Sequence, residues 1–169
     1  MSPLGLRVYA QITRTEGWDQ LFSISKQFDF SAAHYLVGLP EDHPCSRLHG
    51  HNYSIKVVLE SPLLDMVGFV RDYRELDTLK QWLDRMFDHR CLNGVLDNLN
   101  PTAENLAYFI YTYAQTLYPE VHAVGVSETP KTWAWFTPQN LTLDTLSRAT
   151  EALPEPARTN FEEAIGVKH

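Results

Sequence analysis

Only two cysteines, Cys45 and Cys91, occur in 169 residues. That is too few for a disulfide framework, so each thiol has to be explained by packing or by chemistry. No apolar run approaches the roughly 18 residues of a membrane span, and the N-terminus lacks a basic segment leading into an apolar stretch and a cleavage site. Positive charge is also scarce. Lys and Arg number 14 against 21 Asp and Glu, a net charge of −7, which argues against nonspecific nucleic-acid binding but leaves room for a small anionic substrate in a locally basic pocket. There is no Gly-x-Gly-x-x-Gly fingerprint for a dinucleotide, no internal repeat and no low-complexity segment. What remains is 44% apolar and 21% charged, enough for one globular domain with a real core, expected to be soluble and cytoplasmic.

The periodicities of the middle of the chain give an order of elements. Phe22, Ile24, Phe28, Phe30, Ala32 and His34 share even parity against Ser23, Ser25, Gln27 and Asp29, the period of a half-buried strand. A second strand runs from His49 to about Glu60, with Tyr53, Ile55, Val57 and Leu59 on the parity of His49 and His51. Asp72 and Glu75 have capping-box spacing ahead of a helical face of Leu76, Leu79, Leu83 and Met86. Asn100 as cap and Pro101 at the first helical position introduce a second helix, with Leu106, Phe109, Ile110, Tyr113 and Leu117 on one face. Val121–Glu128 and Thr132–Phe136 flank a Thr129-Pro130-Lys131 turn and predict a closing hairpin. The order ββααββ is an α+β pattern, a four-stranded antiparallel sheet with two helices on one face. The domain is expected over 21–139, with extensions at 1–20 and 140–169. In the second extension a weak helical spacing through Leu143, Leu146, Ala149 and Leu153 is stopped by Pro154 and Pro156.

Chemistry concentrates around the long connection from Tyr35 to Leu48. His49-Gly50-His51 puts two imidazoles on one side of an extended segment, and antiparallel pairing of the first two strands would bring His34 towards them. Three neutral nitrogen ligands leave one corner of a zinc tetrahedron open for polarising a substrate oxygen or activating water. Spacing alone does not choose zinc over iron, nickel or copper, nor does it exclude three separately satisfied histidines. Cys45, four residues before His49 and beside Arg47, could serve as a thiolate base or nucleophile, as a fourth ligand or as a structural thiol. Cys91, next to Leu92, reads as packing. Asp88-His89 becomes an acid–base pair only if the helix ends there and the turn lets the carboxylate orient the imidazole. Glu128, on the parity of Val124 and Val126, either points inward, where an edge carrying two N–H groups would satisfy it, or sits in water beside Lys131. Glu104 is explained equally by the dipole at the start of the second helix.

These residues together resemble the 6-pyruvoyl- and 6-carboxytetrahydropterin synthases, the tunnelling-fold enzymes. The likeness rests on Phe30-Ser-Ala-Ala-His34, Cys45-x-x-x-His49-Gly-His51-Asn-Tyr53, Asp88-His89 with Leu92-Asn93, Asn100-Pro-Thr-Ala-Glu104-Asn-Leu106 and Ser127-Glu128-Thr129, in family order. The resemblance implies zinc on His34, His49 and His51, Cys45 as the catalytic base, and Asp88 and His89 as the proton-transfer pair. It further implies Glu128 as the anchor of the pterin ring, with Thr102 and Glu104 lining the same pocket. The implied substrate is 7,8-dihydroneopterin triphosphate, and the implied assembly is a homohexamer whose sheets join into a barrel with sites shared between subunits. The short Cys-x-x-x-His-Gly-His spacing resembles the branch that releases acetaldehyde and 6-carboxytetrahydropterin, a precursor of queuosine. The other branch keeps a pyruvoyl side chain. A zinc hydrolase, with Glu128 or Asp88 as general base, and a non-catalytic pterin-binding protein are the rival readings. Arg90 stands where many carboxy-branch members have a second histidine, and Pro130-Lys131-Thr132-Trp133 stands where they carry smaller residues.

Overall fold

The computed structural model describes residues 21–96 and 99–138; both expected extensions, and the helical spacing within the second, lie outside them. Four strands, β1 (Phe22–His34), β2 (His49–Ser61), β3 (Val121–Thr129) and β4 (Thr132–Phe136), pair in sequence order as one sheet in which every neighbouring pair is antiparallel. Between β2 and β3 come helices α1 (Asp77–Phe87) and α2 (Ala103–Leu117). The α+β order ββααββ expected from the sequence is the observed one.

Alternation in β1 and β2 decides which face is covered. Phe28, Phe30, Tyr53, Ile55, Val57 and Leu59 are buried on one face, beneath Leu79, Leu83 and Phe87 of α1 and Leu106, Ile110 and Ala114 of α2. The opposite face of the first two strands carries short polar side chains that bond to one another: Ser54 Oγ donates to Asp29 Oδ1, and Ser31 Oγ donates to Asn52 Oδ1. Register runs unbroken from Phe22 opposite Ser61 to His34 opposite His49. A one-residue slip would turn every core side chain outward, so the same hydrophobic pattern that builds the core fixes where the histidines meet.

Helix entry differs in detail from the sequence expectation. Asp72 does cap, its carboxylate accepting from Arg74 N–H, but the turn it caps is a 3-10 segment, Tyr73–Leu76, that leads into α1. Glu75 pairs with Arg71, which also clasps Glu120 just before β3. At α2 the cap is Thr102 rather than Asn100, with Thr102 Oγ1 accepting from Asn105 N–H. Pro101 therefore lies one residue before the cap, and the Asn100 side chain is left for another task. Cys91 is exposed, not packed; Leu92 beside it is the buried residue.

Ile110, fully buried between α2 and the sheet, tests the core directly. Ile110→Ala is expected to cost about 2–5 kcal/mol of unfolding free energy, read as a lower urea midpoint at unchanged slope.

Candidate metal centre and neighbouring cavities

The end of the β1–β2 ladder carries the site. His34 and His49 are directly opposed, and their Nε2 atoms lie 3.0 Å apart. His34 is 2% exposed, and its Nδ1 lies 2.7 Å from the carbonyl oxygen of Pro101. His49 Nδ1 lies 2.7 Å from the carbonyl oxygen of Arg47. Each carbonyl can only accept, so each Nδ1 carries the proton and donates it, which leaves both Nε2 atoms as lone pairs in the neutral rings. Two lone pairs at 3.0 Å repel unless a cation or an extra proton lies between them. His51 joins them: the ring nitrogens of the three histidines fall within 4.8 Å of one another, and no other such group of His, Cys, Asp or Glu occurs among the described residues. Burial, with His34 and His49 adding to it, holds the His51 imidazole below its ordinary pKa against the opposing pull of Glu128, and so favours the neutral form. The donor set therefore fits a metal ion that prefers imidazole, with a backbone carbonyl orienting each of two ligands.

Glu128 reaches this cluster from β3. A bulge between Val126 and Thr129 interrupts the pairing of β3 with β4. Ser127 is buried beside it, with its Oγ donating to Thr129 O. The Glu128 carboxylate lies 3.8 Å from His34 Nε2 and stays 28% exposed. Beneath it, Tyr53 is fully buried between the His34 and His51 rings, and its hydroxyl has no hydrogen-bond partner of normal geometry. Burial, and then the Glu128 charge, push that phenol far above its ordinary pKa.

Two cavities open near the cluster. One, of about 270 Å³, is lined by Thr102, Glu104 and Glu128 together with Leu36, Thr132 and Trp133. The three residues expected to form one pocket thus share a wall. The second, about 550 Å³, is lined by His51, His89, Arg90 and Cys91 with the Ser31–Ala33 and Gly50–Asn52 segments. Here the Asp88-His89 expectation is met in geometry: α1 ends at Phe87, and Asp88 Oδ2 lies 3.0 Å from His89 Nδ1. Asp88 Oδ1 accepts from Ser31 N–H at 2.9 Å, and this bond, followed by that to His89, holds the carboxyl below the usual carboxylate range. His89 adopts φ 55°, a left-handed conformation costing a non-glycine residue about 1–3 kcal/mol, and its N–H is pinned to Ser31 O at 2.6 Å. The ring is 83% exposed. Cys45, half-buried in the 3-10 turn Pro44–Ser46, lines neither cavity.

Residue-type reasoning did not single out the carbonyls of Pro101 and Arg47 or the hydroxyl of Tyr53. Two of these are backbone atoms with no signature of their own. Tyr53 was legible only as a core residue on the histidine parity.

Removing one ring, by His49→Ala, should reduce the divalent metal retained after dialysis to a small fraction of that in the parent chain, read by elemental analysis. In chelator-treated protein the depressed His51 pKa gives a definite sign. The unfolded chain takes up a proton near pH 6.5 that the folded chain still refuses, so stability is lost as pH falls below about 6.5. His51→Gln should flatten that part of the curve of urea midpoint against pH.

Comparison with known proteins agrees with this geometry. The profile of the 6-pyruvoyl tetrahydropterin synthase family matches residues 23–139. A 6-carboxy-5,6,7,8-tetrahydropterin synthase from Bacillus subtilis (strain 168) is 31% identical over 132 residues, 70% of this chain and 86% of that protein. One from Synechocystis sp. (strain ATCC 27184 / PCC 6803 / Kazusa) is 34% identical over 118 residues, 64% of this chain and 88% of that protein. Among solved structures, the 6-pyruvoyl tetrahydropterin synthase of Caenorhabditis elegans superposes with a TM-score of 0.64 at 25% identity, covering 71% of this chain and 97% of that one. A sheet that closes on three histidines, beside a carboxylate and an Asp–His pair, is thus accompanied by similarity across most of the described chain, and the chain belongs to the 6-pyruvoyl tetrahydropterin synthase family.

Proposed function

We propose that this protein is a zinc-dependent 6-carboxy-5,6,7,8-tetrahydropterin synthase acting on 7,8-dihydroneopterin triphosphate. The observation that carries the reading is the convergence of three imidazole nitrogens beside the Glu128 carboxylate, which itself lines a cavity with Thr102 and Glu104. The carboxy product is favoured by the three-residue gap in Cys45-Ser-Arg-Leu-His49 and by the names of the Bacillus and Synechocystis relatives.

His34, His49 and His51 would hold the zinc. When bound, zinc supplies a Lewis-acidic centre that makes the hydroxyl protons of a neighbouring substrate side chain more acidic. Glu128, an acceptor with two oxygens, grips the two N–H groups on the amidine-like edge of the pterin. Cys45, as thiolate, takes a proton from the substrate side chain, and His89, oriented by Asp88, gives a proton to the ring. Two electrons pass from side chain to ring, so dihydropterin is reduced as the side chain is oxidised and no nicotinamide is needed. Triphosphate leaves, the side chain is cleaved to acetaldehyde, and one water supplies the oxygen that completes the carboxylate.

In one chain Cys45 lines neither cavity, and Glu128 and His89 line different ones. The reading therefore includes a homo-oligomer, taken as a hexamer, in which the edge strands β1 and β4 of neighbouring copies join and Cys45 and Glu128 of one site come from different chains. A pyruvoyl product remains the second reading, supported by the likeness to the Caenorhabditis elegans enzyme.

Incubation of the zinc-loaded protein with 7,8-dihydroneopterin triphosphate, with products identified by mass, is expected to yield acetaldehyde and carboxytetrahydropterin. A pyruvoyl product would select the second reading. An unchanged substrate would remove both. Cys45→Ala should keep its metal and lose turnover by roughly 10²–10⁴-fold, as expected for loss of a positioned base; full activity would exclude the thiolate step.

A further inference from the structure

We infer that Asn93 and Asn100 are positioning residues that fix the backbone holding Cys45 against the strand end that carries His34, an inference that rests on the catalytic reading of Cys45 given above. From Ser31 onward the outward-facing backbone of β1 and its continuation meets a partner at every second residue. Ser31 N–H donates to Asp88 Oδ1 and Ser31 O accepts from His89 N–H. Ala33 N–H donates to Arg90 O at 2.9 Å. There the ladder of backbone partners stops and side chains take over. Tyr35 N–H donates to Asn93 Oδ1 at 3.0 Å while Asn93 Nδ2 donates to Tyr35 O at 2.7 Å. Val37 N–H donates to Asn100 Oδ1 and Asn100 Nδ2 donates to Val37 O, both at 2.8 Å. Each primary amide thus plays the part of a facing peptide, and the chain runs on as though it were still in a sheet although β1 has ended at His34.

The residue between the two rungs points the other way. Leu36 N–H donates to Cys45 O at 2.8 Å, so the segment 35–37 is gripped by amides on one side and holds the catalytic thiol's own backbone on the other. The two grips are tied to the rest of the site. Asn93 lies two residues past Cys91, whose backbone pairs with Ala33 next to the Asp88–His89 turn. The Asn100 carbonyl accepts from Thr102 N–H and Asn105 Nδ2 at the start of α2, and the next residue, Pro101, supplies the carbonyl that orients His34. Both rungs need a donor and an acceptor side by side at short reach, which asparagine offers. Aspartate keeps the acceptor but sets a second carboxylate oxygen against a backbone carbonyl.

The test uses the full-length metal-loaded protein in a Cys91→Ser background, so that Cys45 is the sole thiol. Asn93→Asp and Asn100→Asp, near-isosteric changes, are each compared with that parent. The expected result is metal content equal to the parent's, faster hydrogen exchange at the Tyr35, Leu36 and Val37 amides, and a clear rise in the rate of Cys45 alkylation by iodoacetamide. With it, kcat should fall by roughly ten- to a hundredfold while KM stays within about threefold, the pattern of a misplaced reacting group and not of lost binding. Unchanged exchange and alkylation would overturn the inference, as would loss of metal, which would place the effect on His34. Should Asn100→Asp fail to fold, Asn93→Asp, remote from the first turn of α2, decides alone. Cys45→Ala is assayed alongside: full turnover there sinks the catalytic reading, while exchange and alkylation still settle whether the amides hold the loop.

Discussion

The site depends on one unfavourable contact, the approach of two imidazole lone pairs from opposed residues of an antiparallel ladder. His34 and His49 face one another because the β1–β2 register leaves them no alternative, and each ring is committed through Nδ1 to a carbonyl that a rotation would abandon. Neither ring can turn its protonated nitrogen inward without leaving a backbone acceptor unpaired, and for His34 that acceptor is buried in the protein. The arrangement is relieved by a positive charge, whether proton or metal ion. The third ring, His51, lies where burial keeps it neutral, which favours the metal. The sheet holds the two rings in this approach, with Tyr53, Ile55, Val57 and Leu59 of β2 fully buried just before them.

Core and site are therefore one surface with a gradient along it. Moving along β2 towards the histidines, Leu59, Val57, Ile55 and Tyr53 are fully buried, and His51 and His49 are half-buried. Tyr53 marks the boundary, with its ring in the core and packed against His34 and His51 while its hydroxyl is turned towards the Glu128 carboxylate. Its burial beside Glu128 disfavours ionisation of the phenol.

How far this was legible in the sequence follows from which atoms do the work. Parity in β1 and β2 placed the histidines together because side-chain direction in a strand is set by counting alone. Asp88 and His89 could be paired only conditionally, since their meeting depends on a left-handed residue at 89 that no pattern announces. Asn100 was misread for an instructive reason: asparagine before proline is a good helix cap, but Thr102 is a cap of comparable quality two residues on, and tertiary demand from Val37 decided between them. Cys91 was read as core from its apolar neighbour, whereas the 3-10 turn beginning at Leu92 buries that leucine and leaves the thiol outside. Contacts that use a backbone carbonyl, such as Pro101 to His34, have no residue-type signal at all.

If copies of this chain share one site, as proposed above, the division of groups between cavities has a physical rationale. The proposed base, proton donor and carboxylate anchor would have to surround one flat ring, yet a single chain holds them apart: Glu128 and Thr102 line one cavity, His89 lines the other, and Cys45 lies in a 3-10 turn that lines neither. Bending one chain to bring them together would require breaking the register that brings the three histidines together. Adding a second copy leaves that register intact and lets a rigid edge supply the missing wall. The backbone of β1 from Ser31 on is already satisfied by Asp88, His89, Arg90, Asn93 and Asn100, so among the described residues it is the earlier part of β1, and β4 across the sheet, that have no further strand beside them. In this arrangement the parts that must be exact are held within one fold, and the parts that must surround the substrate are supplied by assembly.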